Sequence, residues 1–232
     1  MKAPVVEIFS SIQGEGLLIG RRQIFVRFAG CNLDCNYCDT SISKSKNSGT
    51  LLTVDELVEK IENLKTDDLD SVSFTGGEPL LYADFIKEVL NKIDIDGFLE
   101  TNGTLPDELD KLDNLKHVSL DIKLPEHFDG TYSENIFDNE IKSVNLLMEK
   151  SINVYCKLVV LPSTDIGLIK NMAKKLYERI VKNQEVYVVI QPVSPIEQWK
   201  GINEKLFEFS EAVGKYVNVV TIPQVHKFLN VE

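Results

Sequence analysis

Three cysteines near the start of the chain have a spacing suited to metal chemistry. Cys31, Cys35 and Cys38 form a CxxxCxxC pattern, while the fourth cysteine, Cys156, stands apart. Three thiolates this close favour a metal, and an iron–sulfur cubane held by three cysteines leaves one iron free to bind a small chelating molecule. A closed zinc site would need a fourth ligand, and the histidines are scattered. A redox switch of two cysteines leaves the third without a role. The pattern therefore favours an iron–sulfur cluster, with zinc and a redox switch as alternatives.

A second candidate group follows an apolar run at 71–75. It reads Gly76, Gly77, Glu78 and Pro79. Adjacent glycines let a backbone approach a ligand closely, and a carboxylate can accept a hydrogen bond from an ammonium group. Taken alone, Gly-Gly after a strand is typical of a turn. Its position one strand after the cysteines favours a ligand-binding loop.

A polar, glycine-rich segment precedes the first predicted strand. Residues 8–16 read IFSSIQGEG, in which Gln13 and Glu15 can pair with an amide-like ring edge. The structural alternative is a hairpin turn in which Gly14 and Gly16 take positive φ. Arg27, at the end of the first predicted strand, can bind a small anion.

These residues belong to an alternation of strand and helix patterns. Apolar runs rich in β-branched and aromatic residues predict strands at 23–28, 71–75, 97–101, 117–121, 153–161, 186–191 and 216–222. Helices are predicted after a capping box of Thr53 and Glu56, from Pro79, and at 135–150, 164–181 and 203–213. The chain is shorter than the roughly 250 residues of a complete eight-fold barrel. We therefore expect an α/β fold, a partial (β/α) barrel of about six βα units, with its site beyond the carboxyl ends of the strands.

Composition narrows the class of protein. The 232 residues include 25 basic and 36 acidic side chains, and the net charge of −11 disfavours a nucleic acid as the main partner. No apolar run approaches the roughly 18 residues of a membrane span, so we expect no membrane partner. The first ten residues lack the pattern of a secretion signal. We therefore expect a single cytoplasmic domain over residues 1–232.

The cysteine pattern, with Tyr37 directly before its last cysteine, resembles the signature of the radical S-adenosylmethionine superfamily, and residues 76–79 resemble its GGEP segment. The resemblance implies a 4Fe–4S cluster on the three cysteines and cleavage of S-adenosylmethionine to a 5′-deoxyadenosyl radical. It implies cofactor contacts at Tyr37, Cys38, Asp39, Gly76, Gly77, Glu78, Asn102, Asp121, Lys123 and Gln191. At 121–123 the chain reads DIK and departs from the Ser-Pro-Lys that such proteins tend to have.

Further matches narrow the resemblance to the 7-carboxy-7-deazaguanine synthases. They are QGEG at 13–16, FVR at 25–27, CDT at 38–40, ETNG at 100–103 and PQVHK at 223–227. The resemblance implies conversion of 6-carboxy-5,6,7,8-tetrahydropterin to 7-carboxy-7-deazaguanine with loss of ammonia, in the queuosine pathway. It implies substrate contacts at Ile12, Gln13, Gly14, Glu15, Arg27, Thr75, Glu100 and His226, of which Glu100 and His226 are also catalytic.

The same resemblance implies Mg²⁺ bound by Thr40, a position that is otherwise typical of a helix cap. It also implies a substrate-binding turn at about residues 7–16, a C-terminal tail at about 223–232, a reducing electron donor of the flavodoxin type, and a homodimer. Two other functions stay open. A radical S-adenosylmethionine activase of a protein partner shares the cysteine spacing but needs neither the QGEG segment nor Thr40. A non-catalytic binding module would hold zinc.

Overall fold

A computed structural model describes residues 1–130, 132–181 and 185–231. Across these residues one sheet contains nine strands. In chain order they are β1 (Lys2–Ile12), β2 (Arg22–Phe28), β3 (Thr50–Thr53), β4 (Leu69–Gly76), β5 (Gly97–Thr101), β6 (Leu115–Asp121), β7 (Asn153–Val160), β8 (Tyr187–Pro192) and β9 (Asn218–Thr221). Their order across the sheet is β3-β1-β2-β4-β5-β6-β7-β8-β9.

The α-helices of the described residues lie between and after the strands. They are α1 (Val54–Asn63), α2 (Ala83–Leu90), α3 (Pro106–Leu109), α4 (Glu134–Glu149), α5 (Ile166–Arg179), α6 (Glu204–Gly214) and α7 (Val225–Leu229). The capping box of Thr53 and Glu56 is present at the start of α1, and Pro79 opens a 3-10 turn directly before α2. The helix expected from Thr164 begins two residues later, because Asp165 caps α5 while Thr164 accepts a hydrogen bond from the Leu161 amide. No described helix has both the length and the apolar character needed to cross a membrane.

The parallel part of the sheet confirms the predicted architecture. From β2 to β9 each neighbouring pair is parallel, and these strands follow one another in chain order apart from the inserted β3. Successive right-handed crossovers produce this order. Six βα units, from β2–α1 to β8–α6, are followed by β9. In the described sheet the outer strands β3 and β9 are not paired with each other, so the barrel is partial and open.

The N-terminal segment differs from the prediction. Residues 7–12 belong to β1, which pairs antiparallel with β2 and with β3, so the turn is confined to residues after Ile12. In that turn the Gln13 amide donates to the Arg21 carbonyl over 2.8 Å. Gly16 has a positive φ of +66°, whereas Gly14 is not among the glycines of positive φ. The sequence of β1 hides the strand because Glu7 and Ser10 interrupt its apolar pattern.

Alternation of side chains along each strand separates an apolar face from a polar one. The face toward the helices carries the main core, to which the buried side chains of Phe28, Phe74 and Cys156 belong. Cys156 is therefore a small core residue, as its separation from the other cysteines suggests. The opposite face has a smaller apolar cluster around Phe98 and Tyr155. The rest of that face is available for polar side chains, and this is where the candidate site forms.

Candidate active site

Inward-facing side chains at the carboxyl ends of six strands surround one cavity of about 590 Å³. They are Arg27 on β2, Thr75 on β4, Glu100 on β5, Asp121 on β6, Lys157 on β7 and Gln191 on β8. Of the residues expected from the sequence, the cavity is lined by Ile12, Gln13, Gly14, Glu15, Arg27, Cys31, Cys35, Tyr37, Cys38, Asp39, Thr40, Thr75, Gly76, Gly77, Glu100, Asn102, Asp121, Lys123, Gln191 and His226. The structure thus brings together residues that are spread over most of the chain.

The loop after β2 presents three thiols to the cavity. Cys31, Cys35 and Cys38 are partly exposed and form no disulfide. Burial raises the pKa of the Cys31 and Cys35 thiols. Within the described ranges, no three side chains of the His, Cys, Asp or Glu type are arranged to hold a single metal ion. Three free thiols on a cavity, without a fourth ligand beside them in the described residues, fit a cluster with an open iron better than a closed zinc site.

Glu78 lies behind the cavity wall. Its side chain is fully buried, and one oxygen accepts hydrogen bonds from the Leu80 amide over 2.9 Å and the Thr101 hydroxyl over 2.7 Å. The other oxygen accepts from the Asn102 amide over 2.8 Å. Burial raises the pKa of Glu78 to about 7 in spite of these donors. These contacts link the start of the 3-10 turn to the end of β5, and a contact of Glu78 with a cofactor stays a prediction.

Glu100 is held from both sides on the inner face of the sheet. One oxygen accepts from the Gln13 amide group over 2.8 Å and the other from the Thr75 hydroxyl over 3.0 Å. The Gln13 side-chain nitrogen also donates to the Gln23 side-chain oxygen over 2.9 Å. The Gln13 side-chain oxygen accepts from the Glu15 main-chain amide over 3.0 Å. Burial, together with the neighbouring charge of Glu15, raises the pKa of Glu100. The turn after β1 therefore orients a carboxylate that belongs to β5.

Arg27 lies opposite Glu7 in the β1–β2 ladder. Its Nε donates to a Glu7 oxygen over 2.5 Å, and its guanidinium carbon lies 5.9 Å from the centre of the Phe9 ring. Only Nε of Arg27 contacts Glu7, so the two terminal guanidinium nitrogens take no part in this ion pair. These groups can form paired hydrogen bonds with an anion in the cavity.

Thr40 is not a helix cap in the usual sense. It occupies the N-cap position of a 3-10 turn over Ser41–Ser43, yet its side chain makes no capping hydrogen bond. Its hydroxyl donates to one Asp39 oxygen over 3.1 Å, and the other Asp39 oxygen accepts from Gln224 over 2.9 Å. The capping alternative is therefore wrong, and Thr40 lines the cavity with its hydroxyl bonded to the neighbouring carboxylate.

The C-terminal segment closes one side of the cavity. The Val225 amide donates to the Gly14 carbonyl over 2.8 Å, and Gln224 donates to Glu15 over 2.7 Å. His226 packs against Gly14 so closely that an added Cβ would lie 2.3 Å from its Nδ1. Burial lowers the pKa of His226. The predicted tail reaches residue 232, which lies outside the described residues.

Comparison with known proteins identifies the family. The Radical SAM superfamily model matches residues 25–176. The chain is 49% identical to 7-carboxy-7-deazaguanine synthase of Methanothermobacter thermautotrophicus, covering 99% of this chain and 98% of that protein. It is 41% identical to the synthase of Methanocaldococcus jannaschii, covering 96% and 98%. The chain belongs to the 7-carboxy-7-deazaguanine synthase family. The crystal structure of QueE from Escherichia coli has the same fold, with a TM-score of 0.65 and 18% identity over 95% of this chain and 94% of that one.

Membership in the 7-carboxy-7-deazaguanine synthase family makes the chain a radical S-adenosylmethionine lyase that acts on a small molecule. The superfamily implies a 4Fe–4S cluster and S-adenosylmethionine, and the three cavity thiols fit the cluster. This result favours the enzyme over the protein-activating and zinc-module alternatives.

Three cavity residues of this family member were missed as site residues by sequence reasoning. Glu7 pairs with Arg27, Gln224 joins Glu15 to Asp39, and Lys157 lies beside the partly buried carboxylates of Glu15 and Asp121. A lysine inside an otherwise apolar strand was the available signal for Lys157. The roles of Glu7 and Gln224 depend on partners distant in the sequence.

Proposed function

We propose that this chain converts 6-carboxy-5,6,7,8-tetrahydropterin to 7-carboxy-7-deazaguanine with loss of ammonia, in the cytoplasm, for the queuosine pathway. The observation that carries the proposal is the shared cavity, in which Arg27 and the oriented carboxylate of Glu100 lie with the three cysteines. The names of the relatives from both methanogens support the same reaction.

The substrate carries a carboxylate at one end and a guanidine-like donor edge at the other. Arg27 would bind the carboxylate, because its planar guanidinium matches two oxygens. Carboxylates at Glu15 and Glu100 would accept hydrogen bonds from the donor edge. The turn after β1 would supply the remaining contacts through Ile12, Gln13 and Gly14, with Thr75 beneath the ring. Glu100 and His226 would be the catalytic residues beside the reacting ring.

The cofactor would occupy the side of the cavity next to the cysteine loop. When bound, the cluster on Cys31, Cys35 and Cys38 and S-adenosylmethionine supply the radical that abstracts a hydrogen atom from the substrate and later returns it. Contacts to S-adenosylmethionine would come from Tyr37, Cys38, Asp39, Gly76, Gly77, Glu78, Asn102, Asp121, Lys123 and Gln191. A buried Gln191 oxygen has no hydrogen-bond partner within the described part of the chain, which suits a ligand donor. The protein's own work is to position these groups and to exclude water.

Mg²⁺ would bind at Thr40 and meet the substrate carboxylate. Support comes from the Thr40 hydroxyl, which faces the cavity next to Asp39 without a capping role. Oxygen donors of this kind suit Mg²⁺, which also keeps several waters. We further propose that one domain performs the reaction with a flavodoxin-type electron donor, and that the enzyme is a homodimer.

Anaerobic turnover tests the reaction. The reconstituted protein is incubated with S-adenosylmethionine, a reductant, Mg²⁺ and carboxytetrahydropterin, and products are identified by mass spectrometry. We expect 7-carboxy-7-deazaguanine and ammonia in equal amounts, without matching accumulation of 5′-deoxyadenosine, because the hydrogen atom is returned. A Cys35→Ser variant serves as the control without an intact cluster. Cleavage of S-adenosylmethionine with no deazaguanine product would contradict the proposed substrate.

A further inference from the structure

Lys157 places a buried ammonium group on the lining of the cavity. It is the fifth residue of β7, lies beside Asp121 in the β6–β7 ladder, and is 9% exposed. Neighbouring Cys156 and Leu158 point into the apolar core, whereas alternation directs Lys157 to the opposite face. A lysine this deeply buried needs compensating charge.

Two carboxylates from different elements supply that charge. Lys157 Nζ lies 2.8 Å from a Glu15 oxygen and 3.3 Å from an Asp121 oxygen. Glu15 belongs to the turn on the proposed substrate side, and Asp121 ends β6 on the proposed cofactor side. Each carboxylate uses its second oxygen elsewhere, since Glu15 accepts from Gln224 over 2.7 Å and Asp121 accepts from Lys123 over 2.7 Å.

The ion pairs hold both carboxylates in the charged form. Burial alone would raise the pKa of Glu15, but the adjacent ammonium of Lys157 and its hydrogen bond bring the pKa down to about 2. The pKa of Asp121 is also below its usual value in spite of burial, because Lys123 and Lys157 lie beside it. Without Lys157, two partly buried carboxylates and the nearby Glu100 would face one another with one cation fewer.

We propose that Lys157 is a positioning residue that holds Glu15 and Asp121 in place and thereby links the substrate side to the cofactor side of the cavity. The inference rests on the proposed function, because it takes Glu15 as a substrate contact and Asp121 as a cofactor contact.

The test compares three variants of the cluster-loaded enzyme. Lys157→Met removes the positive charge but keeps a side chain of similar length, and Lys157→Arg keeps the positive charge. Lys150→Met is the matched control, because Lys150 also pairs with two carboxylates, Asp110 over 3.0 Å and Asp113 over 2.8 Å, but lies outside the cavity. The readouts are the iron content, the Kd of S-adenosylhomocysteine by calorimetry, and KM and kcat for the carboxytetrahydropterin.

We expect Lys157→Met to raise both the Kd and the KM by about tenfold while the iron content is kept, because both carboxylates lose their partner. Lys157→Arg should recover both constants to within about threefold, and Lys150→Met should stay within about twofold of the wild type. The inference is overturned if Lys157→Met leaves both constants within about twofold, or if kcat alone falls.

A double-variant comparison keeps the inference testable if Lys157→Met does not fold. Asp121→Asn with Lys157→Met removes one negative and one positive charge, and it is compared with Asp121→Asn alone. A further rise in KM of about fivefold supports a role of Lys157 through Glu15, and equal KM values overturn it. Failure of the wild type to form product would refute the proposed reaction instead, and the Kd of S-adenosylhomocysteine would still report on the cofactor half of the inference.

Discussion

At the scale of single residues, charged side chains that line the cavity form ion pairs with one another. Glu7 holds Arg27, Lys157 holds Glu15, and Lys123 donates to both Asp121 and the Tyr37 hydroxyl. Paired burial matters because an isolated buried charge is strongly destabilising, whereas a compensated one can be kept ready for a ligand. Removing one member of a buried pair should therefore lower stability as well as ligand binding.

Thr40 offers a test of the magnesium site. We expect Thr40→Ala to raise the Mg²⁺ concentration for half-maximal activity by about tenfold, because one oxygen donor is lost. The iron content should be unchanged, since Thr40 makes no capping bond in its turn. Thr40→Ser, which retains the hydroxyl, is the control. Loss of iron in Thr40→Ala would instead mean that Thr40 supports the cluster loop.

Gly14 can be tested in the same way. A Cβ at this position would lie 2.3 Å from His226 Nδ1 and 2.6 Å from its Cβ, so Gly14→Ala must displace the tail. We expect activity to fall by at least about tenfold, because misplacing a catalytic group by about 1 Å is costly.

Gly20→Ala is the control for Gly14→Ala. It lies in the same turn, where nothing stands within 4 Å but φ is +87°. It should cost about 1 kcal/mol of stability, measured by urea unfolding, while KM is kept. Equal activity losses in the two variants would show that the turn, and not His226, is responsible.

At the scale of elements, the cavity is assembled from the two ends of the chain. β1 adds an antiparallel strand beside β2, and α7 returns to the turn that follows β1. Gln224 contacts both Glu15 and Asp39, so it connects that turn to the cysteine loop. The C-terminal segment therefore acts as a clamp, in the sense that Gln224 holds the turn after β1 and the cysteine loop together through these two hydrogen bonds.

Gln224→Glu should weaken this clamp. The substitution replaces an amide donor by a carboxylate between Glu15 and Asp39, and like charges repel. We expect substrate KM to rise by about tenfold, with a smaller change in the midpoint of thermal unfolding. Gln198→Glu, on an exposed 3-10 turn, makes the same change of charge elsewhere and should leave KM unaltered. A KM for Gln224→Glu equal to that of the control would refute the clamp.

At the scale of the whole molecule, stability in acid should depend on His127. This side chain is fully buried, contacts the Leu124 amide and the Val159 carbonyl, and packs edge-on against Tyr37 with 4.5 Å between ring centres. Burial lowers its pKa from 6.5 to about 3. Below pH 6.5 the unfolded chain therefore binds a proton that the folded chain does not, and stability is lost as the pH falls toward 3.

The size of this effect can be measured by anaerobic urea unfolding. Between pH 7 and 5.5 we expect the His127 contribution to the free energy of unfolding to fall by about 1 kcal/mol. The His127→Gln variant should have a lower free energy of unfolding at pH 7, but this free energy should fall less as the pH is lowered to 5.5. His117→Gln replaces a half-buried histidine on β6, and this variant should retain most of the pH dependence of the wild type. Equal slopes in the wild type and His127→Gln would contradict the assignment.

The features that could be predicted from the sequence are those encoded by residues close together in the chain. The cysteine spacing, the Gly-Gly turn and the parallel strands from β2 to β9 all follow from residues close together in the chain. β1 and β3 were missed because these antiparallel strands contain mixed polar residues and lack the continuous apolar run of the parallel strands. The burial of Glu78 and its bonds to Leu80, Thr101 and Asn102 could not be predicted, because a motif does not tell which protein groups lie behind it.

The sequence by itself determined which chemical groups are present and at which strand ends they occur, since ligand spacing and strand periodicity are local properties. Only the tertiary structure decided which of them meet. The Arg27–Glu7 pair depends on the register of β1 and β2, and the Gln224–Glu15 contact joins residues 209 positions apart. Lys157 became a link between two sides of the cavity only when β7 was set beside β6. The physical reason is that contacts between distant segments arise from strand order and packing, which no local pattern encodes.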